Sequence, residues 1–402
     1  MTTTSRGLGA VLVAQFLSAL ADNALLFAAI ALLKATAAPA WHTPLLQEGF
    51  LLAYILLAPF VGHIADTWAK GRVMLAANAL KLAGAGVMLL GANPVLAYAL
   101  VGVGAAAYSP AKYGILSEFV PPDKLVKANG LLEGSTIAAI LLGVVLGGYL
   151  ADQKAQLAVA FTVGVYFLAA LANLRIPKSA AVGGQLRSPR ALVGEFWSAL
   201  RTLMRSQDGR FTLLGTSLFW GTGSTLRFIL VAWVPVALGI ADTAMPANLS
   251  GAVAVGIAVG AAAASRFVTL SNVNRALPAG LALGSLIIAF ATVTSLPVAV
   301  GMLVLIGACG GFYVVPLNAL LQEKGHESVG AGSAIAVQNF VENLLMLVMV
   351  GAYTAMARAG LSPVSLAMAF GGIVLLGIGS LAWSRVKPQG LPATASEGSS
   401  MR

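Results

Sequence analysis

The sequence predicts an all-α polytopic membrane protein with twelve transmembrane helices in two pseudo-symmetric six-helix bundles. Three observations predict it. Only 9% of the 402 residues are charged and 58% are hydrophobic, whereas a soluble domain carries about 25% charged residues. The mean hydropathy is +0.88, and the apolar residues fall into twelve runs, each near the ~20 residues that cross a bilayer as a helix. The longest polar interval lies between the sixth and seventh runs, so it divides them evenly. This composition excludes a soluble enzyme, a disordered regulator and a disulfide scaffold. Cys309 is the only cysteine and stands inside an apolar run, so no disulfide within the chain is possible.

In chain order the runs are 8–33, 47–65, 72–92, 94–117, 125–150, 155–175, 211–238, 247–268, 276–296, 298–321, 328–357 and 363–384. After the first, Ala38-Pro39-Ala40 has the spacing of a signal-peptidase site. The run before it is too long for a signal h-region and contains Asp22, so it is read as a retained span. With the two chain ends on one side, that side holds eighteen of the 24 Lys and Arg residues. The other side holds Lys34, Lys154 and Arg358, and Lys81, Lys112 and Arg227 fall within spans. The asymmetry puts both termini in the cytoplasm. It also accounts for the net charge of +10 without a nucleic-acid partner.

The chain thus divides into a first bundle (1–175), a linker (176–210), a second bundle (211–385) and a Ser- and Gly-containing tail (386–402) expected to be disordered. In the linker, Val193, Phe196, Trp197, Leu200, Leu203 and Met204 recur at helical spacing, opposite Arg201 and Arg205. That pattern predicts an amphipathic helix lying on the inner membrane surface.

Six ionisable residues fall inside spans: Asp22, Lys81, Lys112, Glu133, Arg227 and Glu342. Each costs about 2.5–3.5 kcal/mol at mid-bilayer on insertion scales, so they must face one another or a wet cavity. Helical spacing groups them with other polar residues: Gln15, Ser18 and Asp22; Tyr108 and Lys112; Asn129, Glu133 and Thr136; Thr216, Trp220, Gly223 and Arg227; Gln338 with Glu342, and Asn339 with Asn343. Two cations, Lys112 and Arg227, suit a phosphate or carboxylate. Asp22 or Glu342 suits an ammonium, and Asp22 with Arg227 could instead form a gating salt bridge.

The halves also rhyme. The fourth run contains Tyr108-Ser-Pro110-Ala-Lys112 and the tenth Phe312-Tyr-Val-Val-Pro316-Leu-Asn318. The runs that follow open with Lys127-Ala-Asn129-Gly130 and Gly330-Ala-Gly332-Ser333. Duplicated halves with interrupted helices point to a transporter with its site between them. Between the second and third runs stands Gly62-His-Ile-Ala-Asp66-Thr-Trp-Ala-Lys70-Gly71-Arg72. It resembles the G-x-x-x-D-x-x-x-[KR]-G-[RK] signature of the major facilitator superfamily, in the loop where that signature belongs. Its glycines permit close helix approach, and its acid can pair with the bases and cap a helix end.

Longer stretches resemble one family of that superfamily, the bacterial lysophospholipid transporters. They are AQFLSALADNALLFA (14–28), GHIADTWAKGRVM (62–74), VGVGAAAYSPAKYGILSE (101–118), KANGLLEGSTIAAILLG (127–143), GTSLFWGTGSTLRF (215–228), WVPVALGI (233–240), VVPLNALLQE (314–323) and VGAGSAIAVQNFVEN (329–343). The resemblance implies alternating access and movement of 2-acyl-glycerophosphoethanolamine and related lysophospholipids to the cytoplasmic leaflet of the inner membrane. There a partner acyltransferase/acyl-carrier-protein synthetase restores the second chain. It implies gate or headgroup roles for Asp22 and Arg227 and a phosphate contact for Lys112. The candidate substrate-binding and gating set is Asp22, Asn23, Tyr108, Lys112, Tyr113, Arg227, Asn318, Gln338, Asn339, Glu342 and Asn343. Lys81 and Glu133 are read as structural supports.

Two other machines compete. Gly134, Gly143 and Gly147 partly match an antiporter signature, which would suit a proton-coupled exporter, but Gly148 stands where that signature has proline. A membrane-embedded acyltransferase needs a His–Asp pair four apart, and His63 and Asp66 are three apart. No phosphate-binding G-x-x-x-x-G-K-[ST] loop and no Cys/His cluster at metal-ligand spacing is present, so neither a cofactor nor a metal is expected.

Overall fold

The computed structural model describes residues 3–36, 42–177, 188–240 and 244–386. Among them, twelve helices are long and apolar enough to cross a membrane. The first bundle comprises α1 (Thr3–Ala35), α2 (His42–Thr67), α3 (Lys70–Leu89), α4 (Pro94–Phe119), α5 (Pro122–Gln153) and α6 (Ala155–Asn173). A linker helix, α7 (Pro189–Arg205), leads to α8 (Gln207–Leu238), α9 (Ala244–Phe267), α10 (Leu277–Phe290), α11 (Leu296–Ser328), α12 (Ala331–Arg358) and α13 (Pro363–Val386). A 3₁₀ turn, Leu270–Ala276, enters α10.

Local chemistry sets the ends. Asn93 caps α4, its side chain accepting from the Val95 amide at 2.9 Å, and Pro94 opens the helix. Ser206 both ends α7 and caps α8, accepting from the Gly209 amide at 2.9 Å. The run expected to reach residue 296 stops at Phe290, because α10 ends before a turn containing Thr292 and Ser295 ahead of Pro297. Ala38-Pro39-Ala40 and all of the predicted tail beyond residue 386 lie outside the described residues.

The two bundles repeat one packing scheme. In the first, α1 packs on α5 and α6, α4 on α2 and α3, and α3 on α6. In the second, α8 packs on α12 and α13, α11 on α9 and α10, and α10 on α13. Small residues allow the close approaches. A Cβ at Gly143 would lie 2.6 Å from the Leu20 carbonyl, and one at Gly147 would lie 2.6 Å from Ala24 Cα. The antiporter-like glycines 143 and 147 therefore seat α5 on α1. The second bundle has the larger aromatic core, with the buried Trp233 ring 4.3 Å from Phe290 and its indole N–H donating to the Ala291 carbonyl at 3.2 Å.

Between bundles the seams are α2 against α12 and α5 against α9, with α4 and α11 crossing beside them. The linker helix packs on both bundles. Phe196, Ala199 and Leu203 of α7 are buried against Ala58 of α2, Leu213 of α8 and Ile335 of α12. Phe196 meets Phe340 edge-on at 5.3 Å. Part of its apolar face is thus covered by protein, while Val193 and Trp197 of the same stripe stay exposed; only Ser206 separates α7 from α8, and the short tether holds it on the bundle.

Candidate functional site

A polar cavity of about 250 Å³ lies in the first bundle, between α1, α2, α3, α4 and α5. Asp22, Asn23, Tyr108 and Lys112 of the candidate set line it, together with Lys81, Tyr54 and Tyr98. Asp22 is already engaged. Its carboxylate accepts from Lys81 Nζ at 2.8 Å and from the Tyr166 hydroxyl at 2.6 Å. Lys81 also donates to Ser18 Oγ at 3.0 Å, and Ser18 to Asn78 at 2.7 Å. This cluster satisfies two charges inside a low-dielectric bundle, where an unpaired one would be costly. Lys81, read from sequence as a support, is therefore part of the cavity wall and the partner of Asp22.

Lys112 differs. It sits one turn beyond Tyr108 and is buried, with Nζ 4.2 Å from the centre of the Tyr113 ring. Among the described residues no carboxylate comes within 4.0 Å of that nitrogen. With Asp22 and Lys81 offsetting each other, the cavity lining carries one net positive charge, Lys112, at the end nearest the α2–α3 loop, and Glu133 and Glu342 are carboxylates behind it that do not touch it. Its other end is aromatic, with Phe50 5.5 Å from Tyr98 and 5.7 Å from Tyr54.

The remaining predicted residues assemble elsewhere. Tyr113 donates to Glu133 Oε1 at 2.7 Å, and Asn318 donates to the same oxygen at 3.2 Å across the two halves. The Gln338 amide donates to Asn318 and to Glu342, each at 2.7 Å. Two buried carboxylates are thus linked through two amides, and Glu133, absent from the predicted set, belongs to the chain. Asn339 donates to Ser109 at 3.0 Å, also across the halves, whereas Asn343 donates within its own helix, to the Asn339 carbonyl. Arg227 is not brought to Asp22. It lies on the α8 stripe that begins at Thr216, exposed, and makes no ion pair among the described residues.

The loop motif closes one end of the molecule. Asp66 Oδ1 accepts from the Gly332 amide at 2.6 Å, while Oδ2 accepts from the Ser333 amide at 2.8 Å and its hydroxyl at 2.7 Å. These amides are free donors in the first turn of α12, so a carboxylate of one half caps a helix of the other and meets its positive end. Gly330 enters that turn at φ 94°, and a Cβ there would lie 2.5 Å from the carboxylate. A Cβ on Gly62 would lie 2.8 Å from Ser333 Cα. Lys70 pairs with Glu118 at 2.5 Å, Gly71 backs onto Ile176, and Arg72 is exposed. Among the described residues, the side chains bonded across the halves by Asp66, Asn129, Glu133 and Ser109 stand in the portion of the bundle between this end and the level of Ser109. Toward the far ends of α2 and α12, Leu52, Leu56, Leu344 and Leu347 are exposed.

The family model of the Major Facilitator Superfamily matches residues 11–350. Proteins named lysophospholipid transporter LplT are 56% identical over 385 residues in Klebsiella pneumoniae, covering 95% of this chain and 97% of that one, and 58% identical over 357 residues in Yersinia pestis, covering 89% and 88%. The chain belongs to the lysophospholipid transporter family of the major facilitator superfamily. The crystal structure of the human organic anion transporter MFSD10 has the same fold, with a TM-score of 0.78 at 16% identity over 95% of this chain and 100% of that one. The chain is therefore a multi-pass membrane protein of a transporter family rather than an enzyme.

Proposed function

We propose that this protein moves lysophospholipids, 2-acyl-glycerophosphoethanolamine among them, across the bacterial inner membrane to the cytoplasmic leaflet by alternating access. The observation that carries the reading is Lys112, without an ion pair, in a cavity whose other lining charges, Asp22 and Lys81, satisfy each other. One phosphate is the complement of such a site, through a charge-assisted hydrogen bond. Related transporters at 56–58% identity bear a name that supplies the same substrate class.

The excess of Lys and Arg on the side of the chain ends supports cytoplasmic termini. The end closed by Asp66 is then cytoplasmic, and the conformation is open toward the periplasm. The acyl chain needs an apolar route. On α12 the stripe that meets α2 through Ser333 and Ala336 continues to Leu344 and Leu347, and α2 presents Leu52 and Leu56 beside it. This seam offers hydrocarbon while the headgroup occupies the cavity. In the cytoplasmic leaflet the delivered lipid is a substrate for an acyltransferase/acyl-carrier-protein synthetase. Asp22, held by Lys81 in the outward-open form, becomes a gate partner for Arg227 when the periplasmic ends approach.

The test is uptake of labelled lysophosphatidylethanolamine into vesicles containing only this protein, with ion gradients imposed and then abolished. Uptake above that of protein-free vesicles supports the reading. No uptake under any gradient, with altered drug export instead, overturns it in favour of an exporter.

A further inference from the structure

Alternating access, on which the proposed function rests, requires the closed end to open, and the loop motif holds only one of its two seams. Asp66 fastens α2 to α12. On the other seam, α5 meets α9 and α11, and a Cβ on Gly130 would lie 2.7 Å from Ser265 Cβ and 3.0 Å from the Ala261 carbonyl. Beside that approach, Asn129 of α5 and Gln322 of α11 face each other, both fully buried. Asn129 Nδ2 donates to Gln322 Oε1 at 2.9 Å, and Gln322 Nε2 donates back to Asn129 Oδ1 at 2.7 Å. The second hydrogen of the Asn129 amide goes to the Leu125 carbonyl at 3.0 Å.

We infer that Asn129 and Gln322 form a second, uncharged clasp that holds the closed end shut and lets go on the way to the opposite conformation. The repeat places Asn129-Gly130 where the other half has Gly332-Ser333, the pair Asp66 holds. One position in the duplicated scaffold thus fastens by a carboxylate on a helix end, and its counterpart by two neutral amides. The neutral pair suits a joint that must part repeatedly. Water replaces both hydrogen bonds when the halves separate, so the clasp selects the closed form without locking it. Removing one amide strands its partner in a dry seam, which penalises only the closed form.

The test is distance measurement between spin labels in a Cys309→Ala background. One labelled pair, Asp123→Cys with His326→Cys, spans the closed end, and a second, Leu90→Cys with Leu361→Cys, spans the far end; all four positions are exposed. Asn129→Ala and Gln322→Ala each raise the ratio of long to short distances at the closed end about tenfold, the size of one stranded amide. At the far end the labels move closer. The double alanine variant shifts no further than either single one, and Asn129→Gln with Gln322→Asn restores the parent distribution. Unchanged distributions in both single variants, or shifts that simply add, overturn the clasp. Should neither alanine variant yield folded protein, Asn129→Leu with Gln322→Met leaves no stranded amide. It lowers the long-distance fraction, since opening would then wet hydrocarbon, and no change there equally overturns the inference. No lipid is present in these measurements, so their failure leaves the lysophospholipid reading standing, and failed lysolipid uptake leaves the clasp standing.

Discussion

Replacing Lys112 by methionine keeps the length and most of the volume of the side chain and removes only its charge. The lysine is buried and no carboxylate touches it, so its loss breaks no ion pair, and the amides around Glu133 and Glu342 still hold those carboxylates. The change therefore falls on substrate rather than on folding. A hydrogen bond to a charged group contributes about 1.5–3 kcal/mol, and each 1.4 kcal/mol is about tenfold in affinity. Lys112→Met should weaken half-saturation for lysophosphatidylethanolamine roughly ten- to hundredfold, with melting temperature and membrane expression unchanged. The cavity's remaining charges compensate each other, so a lysolipid with a glycerol headgroup, sharing the phosphate but lacking the ammonium, should lose affinity by a similar factor. The assay is concentration-dependent uptake of both lipids into vesicles containing the purified variant. Wild-type half-saturation for both lipids would remove Lys112 from the site. A loss confined to the ethanolamine lipid would show that Lys112 does not read the phosphate.

Lys81→Met leaves the Asp22 carboxylate with only the Tyr166 hydroxyl. It should lower thermal stability in detergent by about 3–5 kcal/mol less whatever solvation the partly open Asp22 regains, and Asp22→Asn added to it should recover part of that loss. Asp66→Asn removes the charge from the α12 cap while keeping its shape. It should cost the closed end about 0.5–2 kcal/mol, seen as longer distances between labels at Asp123 and His326. Gly130→Val drives a branched side chain against Ser265. Labels across the closed end should report it open, and uptake should stop at an unchanged expression level. Exchanging the charges of Asp22 and Arg227 should restore some of the transport lost in either single reversal if the two meet on closure. No recovery would confine Asp22 to its bond with Lys81.

The spans were legible because twelve apolar runs separated by charged loops have few other readings in a bilayer. The cavity residues on α1 and α4 were legible because a 3.6-residue period fixes which side chains share a face. Which partner each would choose was not. Periodicity puts Asp22 on an inward face but does not say whether Lys81, Lys112 or Arg227 meets it, because that depends on how α1 and α3 cross, 59 residues apart. Glu133 was visible as a charge inside a span, yet its link to Asn318 exists only because α5 and α11 come from different halves. The linker helix shows the same limit. Its stripe reads as facing the membrane surface, yet periodicity shows only that a face is apolar, and protein covers Phe196, Ala199 and Leu203 of it. Asp66 was readable as a cap, but the helix it caps begins 265 residues later in the chain.

The cavity belongs to one repeat alone, although both repeats share a scaffold. Its lining runs from Gln15 to Ile140, with nothing from α8 to α13. If the proposed function holds, the first copy receives the headgroup, while the second supplies one wall of the hydrocarbon seam and the swing that closes on it. Lesions in the second copy away from that seam should therefore register in turnover number while half-saturation stays fixed.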